Sequence, residues 1–216
     1  MTKGLSFVFA AGLLFSQICT AGTTKQQGAR KNRITSAKKI DPNWKVQAAL
    51  DFKNALAKLN EKSFEEAERL LKQAAARGHV DAQHGLGSMY LYGKNLKQNF
   101  RQAVKYLSVA ANQGHPKAQT GLGYMYYTGD YLPQDFKEAA KYLHPAAAKD
   151  YYRAQYLLGM MYLEGQGVEV DEAQAFDLLS AAAEKNYAKA QYLVGLMYEE
   201  GRGVEKDVDE QLLLKS

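Results

Sequence analysis

The sequence has 216 residues but only one cysteine, Cys19, and four prolines. A single thiol forms no internal disulfide, and if a leader is removed after Ala21 no cysteine remains. That excludes a disulfide framework, a thiol nucleophile and a thiolate metal site, so packing alone must hold the fold. No apolar run reaches the roughly 20 residues needed to cross a bilayer. H-x-x-x-H, C-x-x-C, calcium-loop, G-x-S-x-G and phosphate-loop patterns are all missing. No cofactor, no metal and no catalytic residue is therefore expected.

Acidic residues are absent before Asp41, and tyrosines are absent before Tyr90 although the chain has 15. Residues 1–21 read as a secretory signal: Lys3 supplies the positive start, residues 5–15 an apolar stretch, and Cys19-Thr20-Ala21 a small residue for cleavage before Gly22. Lipid attachment at Cys19 is the rival reading, and Ile18 in front of it is larger than that processing favours. The protein is expected in the periplasm or outside the cell, without stable membrane insertion. Residues 22–40 carry Lys25, Arg30, Lys31, Arg33, Lys38 and Lys39 with no acid, whereas the chain from Asp41 on has a net charge of −2. The basic stretch reads as a disordered, solvated linker, with an anionic surface or polymer as its sharper alternative. The folded part lacks a cationic surplus, and no nucleic-acid partner is expected.

What the sequence does have is a repeat. Residues 82–90, AQHGLGSMY, recur at 118–126, 154–162 and 190–198, always 36 residues apart, each closed by a glycine at 93, 129, 165 or 201. Ala82, Leu86, Met89 and Tyr90 form a helical stripe, and Gly93 suits a left-handed helix stop. Gly87 and its copies sit mid-helix, where glycine costs about 1 kcal/mol against alanine, so a neighbouring helix is expected to approach closely. A second helix is predicted from Ser63, Asn99, Asp135, Asp171 and Asp207, all good N-caps, followed three residues later by Glu66, Gln102, Glu138, Gln174 and Glu210 in capping-box spacing. It ends at Gly78, Gly114, Asp150 and Asn186. Pro116 suits a first helical position. Ser63 implies an earlier repeat with a first helix over about 42–60, in which Asp51 replaces the glycine and Asn54 the tyrosine, as befits a polar end. The last repeat closes on Leu212-Leu213-Leu214 without a capping helix, a second candidate surface.

The predicted fold is an all-α superhelical solenoid of about five stacked antiparallel helix pairs. The domains are a signal (1–21), a linker (22–40) and a repeat domain (41–216), with repeats near 43–78, 79–114, 115–150, 151–186 and an incomplete 187–216. The motif from Ala154 through Gly165-Gln166-Gly167-Val168 resembles that of the Sel1-like repeat family, a branch of the tetratricopeptide-like solenoids, over about residues 42–216. The resemblance implies a curved adaptor for protein complexes. A cysteine-rich branch with a Cys pair per repeat is credited with β-lactam binding or hydrolysis, and lacking those cysteines this chain does not inherit the activity.

By similarity to tetratricopeptide helices, the inner face carries Asp81, His84, Ser88, Leu91 and Tyr92, then Lys117, Thr120, Tyr124, Tyr127 and Thr128, then Arg153, Tyr156, Met160, Leu163 and Glu164, then Lys189, Tyr192, Leu196, Glu199 and Glu200. These positions vary between repeats and can specify a partner, whereas the motif residues cannot. The candidate partner-binding set is His84, Tyr92, Lys117, Tyr124, Tyr127, Arg153, Tyr156, Met160, Lys189 and Tyr192, because tyrosine and methionine bury area yet keep an adaptable end. Some of these tyrosines can instead pack only between repeats. His79 and His115 share one repeat position with Tyr151 and Tyr187 and read as turn residues, while His84 and His144 read as isolated. The expected function is an exported scaffold for a protein or peptide. The alternative is a cell-wall-directed protein that binds glycan or regulates an envelope enzyme, and an amide hydrolase rests on family analogy alone.

Overall fold

Hydrophobic periodicity, caps and glycine stops combine into a run of helical hairpins. The computed structural model describes residues 43–93 and 95–204. Among them are nine helices and no strand: α1 (Trp44–Asn60), α2 (Phe64–Ala76), α3 (Val80–Tyr92), α4 (Phe100–Asn112), α5 (Pro116–Thr128), α6 (Phe136–Ala147), α7 (Tyr152–Glu164), α8 (Glu172–Ala183) and α9 (Ala188–Glu200). The signal, the basic linker, Asp207 and the closing leucines lie outside the described residues. None of the described helices is long and apolar enough to cross a membrane.

Helices α3, α5, α7 and α9 end at Gly93, Gly129, Gly165 and Gly201, with φ between 63° and 76°. The even-numbered helices α2, α4, α6 and α8 are followed by Gly78, Gly114, Asp150 and Asn186, at φ of 80°, 80°, 56° and 58°. There the chain closes paired carbonyl bonds: Gly78 N–H donates to Ala75 O at 2.9 Å and His79 N–H to Ala74 O at 3.0 Å. Asn99, Asp135 and Asp171 cap α4, α6 and α8 through their side chains, whereas Ser63 makes no side-chain cap bond.

The capping boxes do not close as the spacing suggests. The backbone N–H of Asn99, Asp135 and Asp171 donates instead to the carbonyls of Tyr90, Tyr126 and Tyr162, at 2.9, 3.0 and 3.1 Å. The end of each motif helix thus holds the start of the next helix, and the residue at the third helical position is spared that duty.

Each helix packs on its chain neighbours, so the core is a continuous strip rather than one centre. Its deepest side chains are Leu71, Leu86, Leu107, Leu122, Met125, Leu143, Leu158, Met161 and Leu179. Burying a side chain of this size contributes about 1.5–3 kcal/mol. Alanines at 74, 110, 146 and 182 are fully covered, and their small size lets the hairpins close up.

The repeats are tied by a buried amide. Gln83 Nε2 donates to Ala75 O and Gln119 Nε2 to Ala111 O, both at 3.1 Å, and Gln191 repeats the bond at 3.5 Å. Each bond joins a first helix to the last turn of the hairpin before it. In the first repeat Gln47 Nε2 turns to Asp51 Oδ1 at 2.9 Å. Asp51 is not part of a polar outer face: it is buried and accepts from Arg77 Nη1, so the carboxylate that replaces the motif glycine is paired inside its own hairpin.

Candidate partner-binding groove

In each hairpin the first helix buries its motif stripe and leaves the variable positions on another face. The result is a row of five first helices, α1, α3, α5, α7 and α9. Along a helix, residues three, four and seven apart share a face, so Lys117 stands in line with Tyr124, Arg153 with Tyr156 and Met160, and Lys189 with Tyr192.

The candidate residues fall into two groups. Tyr92, Tyr124 and Tyr192 are 73%, 46% and 57% exposed, large rings left at solvent. Lys117, Arg153 and Lys189 are also exposed, while His84, Tyr127, Tyr156 and Met160 are half-buried. Leu91 and Thr120 leave the groove altogether: both are buried, and the Thr120 hydroxyl donates to Pro116 O at 2.8 Å.

The half-buried tyrosines do structural work, Tyr127 within its own hairpin and Tyr156 across a repeat boundary. Tyr127 meets Phe136 edge-on at 5.7 Å between centroids, and Tyr156 meets Tyr187 edge-on at 5.1 Å. Tyr187 also contacts Tyr152, over whose ring the Arg153 guanidinium lies at 5.8 Å. Burial raises the Tyr127 and Tyr156 phenols above the ordinary value, with the Glu164 carboxylate adding to both. Both stay protonated and able to donate.

At the other end of the row, α1, α3 and α5 enclose an open cleft of about 440 Å³. Phe52, Leu56, Leu59 and Met89 supply apolar wall, and Asp81, His84, His115 and Lys117 the polar end. His84 is not isolated. Its ring stacks on His115 at 4.5 Å and its Nε2 lies 3.3 Å from the Ser88 hydroxyl. Nor are His79 and His115 merely turn residues: their Nδ1 atoms cap α3 and α5, accepting from Ala82 and Ala118 N–H at 3.3 and 3.2 Å. Accepting at Nδ1 puts the His115 proton on Nε2, 3.2 Å from Asp81 Oδ1. Burial, with His115 and the Lys117 charge close by, pushes the His84 imidazole down to about 4.

Sequence reasoning named His84 and Lys117 but missed the apolar wall. The signal was available, because counting back 36 residues from Ser88 and Tyr92 gives Phe52 and Leu56. Among the described residues no group of three or more His, Cys, Asp or Glu is placed to hold a metal.

The Sel1 repeat profile matches residues 61–79, 80–115, 116–151, 153–187 and 188–211. Helix α1 precedes the matched residues yet takes the first-helix place in the structure. The chain is similar to a protective antigen present in uropathogenic Escherichia coli strains that displays an SLR fold, at 27% identity and a TM-score of 0.74. That alignment covers 88% of this chain and 38% of the antigen, so the chain spans well under half of its relative's length. It is also similar to a Sel1 repeat protein from Oxalobacter formigenes, at 28% identity and a TM-score of 0.69, covering 81% of this chain and 73% of that one. No curated protein matches the chain.

Proposed function

The chain belongs to the Sel1 repeat family, whose members generally serve as protein–protein interaction scaffolds, and from that premise we propose that it binds a segment of a partner protein along its row of first helices. The observation that carries this reading is the exposure of Tyr92, Tyr124 and Tyr192 on variable positions, while the repeated alanine, leucine or valine, and glycine positions of the same helices (82, 86, 87 and their copies) are buried. A tyrosine loses few rotamers on binding and keeps a hydroxyl for hydrogen bonding, so a partner laid over these rings gains contact area at small entropic cost. Lys117, Arg153 and Lys189 orient the partner by charge, and the cleft beside His84 takes an apolar side chain. The leader in residues 1–21 sends the protein out of the cytoplasm, so the partner is an envelope or extracellular protein.

The test uses Tyr124→Ala/Tyr192→Ala, chosen because these rings are exposed and Tyr156 is part of the inter-repeat packing. A partner is first fixed by cross-linking in intact cells and its affinity is then measured with purified proteins. The double variant keeps its helicity and loses at least about tenfold in affinity. Unchanged affinity would exclude the groove. Sugar rings stacking on the same tyrosines are the rival occupant, and co-sedimentation with purified cell wall, lost in the double variant, would point there instead.

A further inference from the structure

Gly85 breaks a rule that Gly87, two residues on, obeys. Glycine in a helix interior costs stability relative to alanine, and a closely packed neighbour normally accounts for it. Gly87, Gly123 and Gly159 have such a neighbour, since a Cβ added at each would collide with a leucine of the next helix. A Cβ added at Gly121 would reach Leu107 Cδ1 at 4.0 Å. One added at Gly85 would meet no heavy atom within 4 Å. Among these helical glycines Gly85 alone faces open space. It lines the cleft of about 440 Å³ between α1, α3 and α5.

The repeat itself shows what fits there. Positions 85, 121, 157 and 193 are 36 residues apart and read Gly, Gly, Leu and Leu. Leu157 is 9% exposed and shares a hydrophobic cluster with Leu143 of the preceding hairpin. Leu193 is half-buried against the cluster that holds Leu179. In the same register the counterpart of Leu143 and Leu179 is Leu71, and Leu71 lines the cleft. The last two repeats thus supply from within a leucine side chain that the second repeat omits.

The other walls suit the same guest. Phe52, Leu56 and Leu59 come from α1 and Met89 from α3, and a thioether adapts its shape to what it meets. Asp81 at the polar end is already held by His115 at 3.2 Å, so an arriving cation would have to displace that bond. Resting on the groove reading given above, we infer that Gly85 holds open an anchor pocket, which the partner segment fills with one leucine-like aliphatic side chain. That side chain takes the place that Leu157 and Leu193 occupy in the later repeats. Because those two leucines close the equivalent space, Gly85 fixes the anchor at the α1 end of the row of first helices. Burial of such a side chain raises affinity by about ten- to a hundredfold.

The probe is N-acetyl-leucine amide, titrated into the full-length protein with isotope-labelled methionine methyls, and N-acetyl-serine amide is the polar control. The Met89 methyl resonance is expected to shift saturably with the leucine probe and to stay still with the serine probe. Gly85→Leu abolishes the shift while keeping or raising the urea midpoint, because the new side chain fills the pocket from inside. Leu56→Gln changes a wall residue that is 45% exposed, and it weakens the leucine probe severalfold. A wild-type Met89 signal that ignores the leucine probe overturns the inference. So does a lowered midpoint in Gly85→Leu, which would make the glycine a packing residue. The partner fixed by cross-linking separates the anchor from the groove. Affinity lost in both Gly85→Leu and Tyr124→Ala/Tyr192→Ala supports both. Affinity lost only in the tyrosine variant means that the anchor falls and the groove stands, and affinity lost only in Gly85→Leu means the reverse.

Discussion

Leu107 seats its side chain on Gly87: a methyl group built on Gly87 would stand 2.6 Å from Leu107 Cγ and 3.1 Å from its backbone nitrogen. Leu143 covers Gly123 and Leu179 covers Gly159 in the same way, at 2.7 and 2.8 Å. The missing side chain is what lets the two helices of a hairpin close.

Two glycines of α3 therefore respond with opposite sign. Gly87→Ala gains about 1 kcal/mol in helix propensity but forces the Leu107 backbone away, and overpacking of this kind costs typically 1–3 kcal/mol, so the net change is a loss. At Gly85 an added Cβ would meet no heavy atom within 4 Å, and Gly85→Ala gains about 0.5–1 kcal/mol. Urea unfolding of the two variants measures both, and a shift of the same sign in each contradicts the close approach.

The buried amide between repeats gives a second prediction. Gln119 Nε2 reaches Ala111 O at 3.1 Å, and both residues are buried. Gln119→Ala leaves that carbonyl without the side-chain donor and opens a void, costing about 1–3 kcal/mol. Hydrogen exchange of amides in α4 and α5 should speed up in the variant, and unaltered exchange would place the interface energy elsewhere.

Arg77 and Asp51 supply a third. Asp51 is buried while Arg77 is half-exposed, so Arg77→Ala strands a carboxylate inside the first hairpin. About 1–3 kcal/mol is expected to be lost. Lys58→Ala, which removes an exposed pair with Glu61, should change stability by less than about 1 kcal/mol. Thermal unfolding ranks the two, and equal effects would remove the distinction between the sites.

His84 predicts a pH dependence. Its folded-state value is depressed to about 4 from an ordinary 6.5, so on acidification the unfolded chain takes up the proton first. The contribution of neutral His84 is fully present above about pH 6.5 and is lost as pH falls toward 4. His84→Gln should flatten the part of the urea midpoint profile between those values. A profile that keeps its full slope in the variant assigns the titration to another group.

The fold was legible because each rule was local and repeated. Gly93 and its copies, the caps at Asn99, Asp135 and Asp171, and the Ala82 and Leu86 stripe all act within a few residues, and four occurrences in register average out the ambiguity of any one. The groove was legible only in part, since its residues are defined by not repeating. Lys117, Tyr124 and Tyr192 are exposed on the face that helical spacing marks, while Tyr127 packs against Phe136 of the partner helix in its own hairpin and Tyr156 against Tyr187 at the start of the next repeat. No spacing within one repeat encodes the Tyr156–Tyr187 contact. The same holds for Asp51: its partner Arg77 lies just past the end of the next helix, and sequence alone marks only a departure from glycine. The paired histidines escaped because His84 and His115 are in different repeats at different positions.

The most direct measurement places a photo-cross-linking amino acid at Tyr124 or Tyr192 in living cells, with Val109 on the second-helix layer as the control. Val109 is 44% exposed, matching Tyr124 at 46%, so accessibility is balanced between the two layers. The groove account predicts a discrete protein adduct from Tyr124 and Tyr192 and none of that mass from Val109. The same adduct from Val109, with none from the two tyrosines, would contradict it.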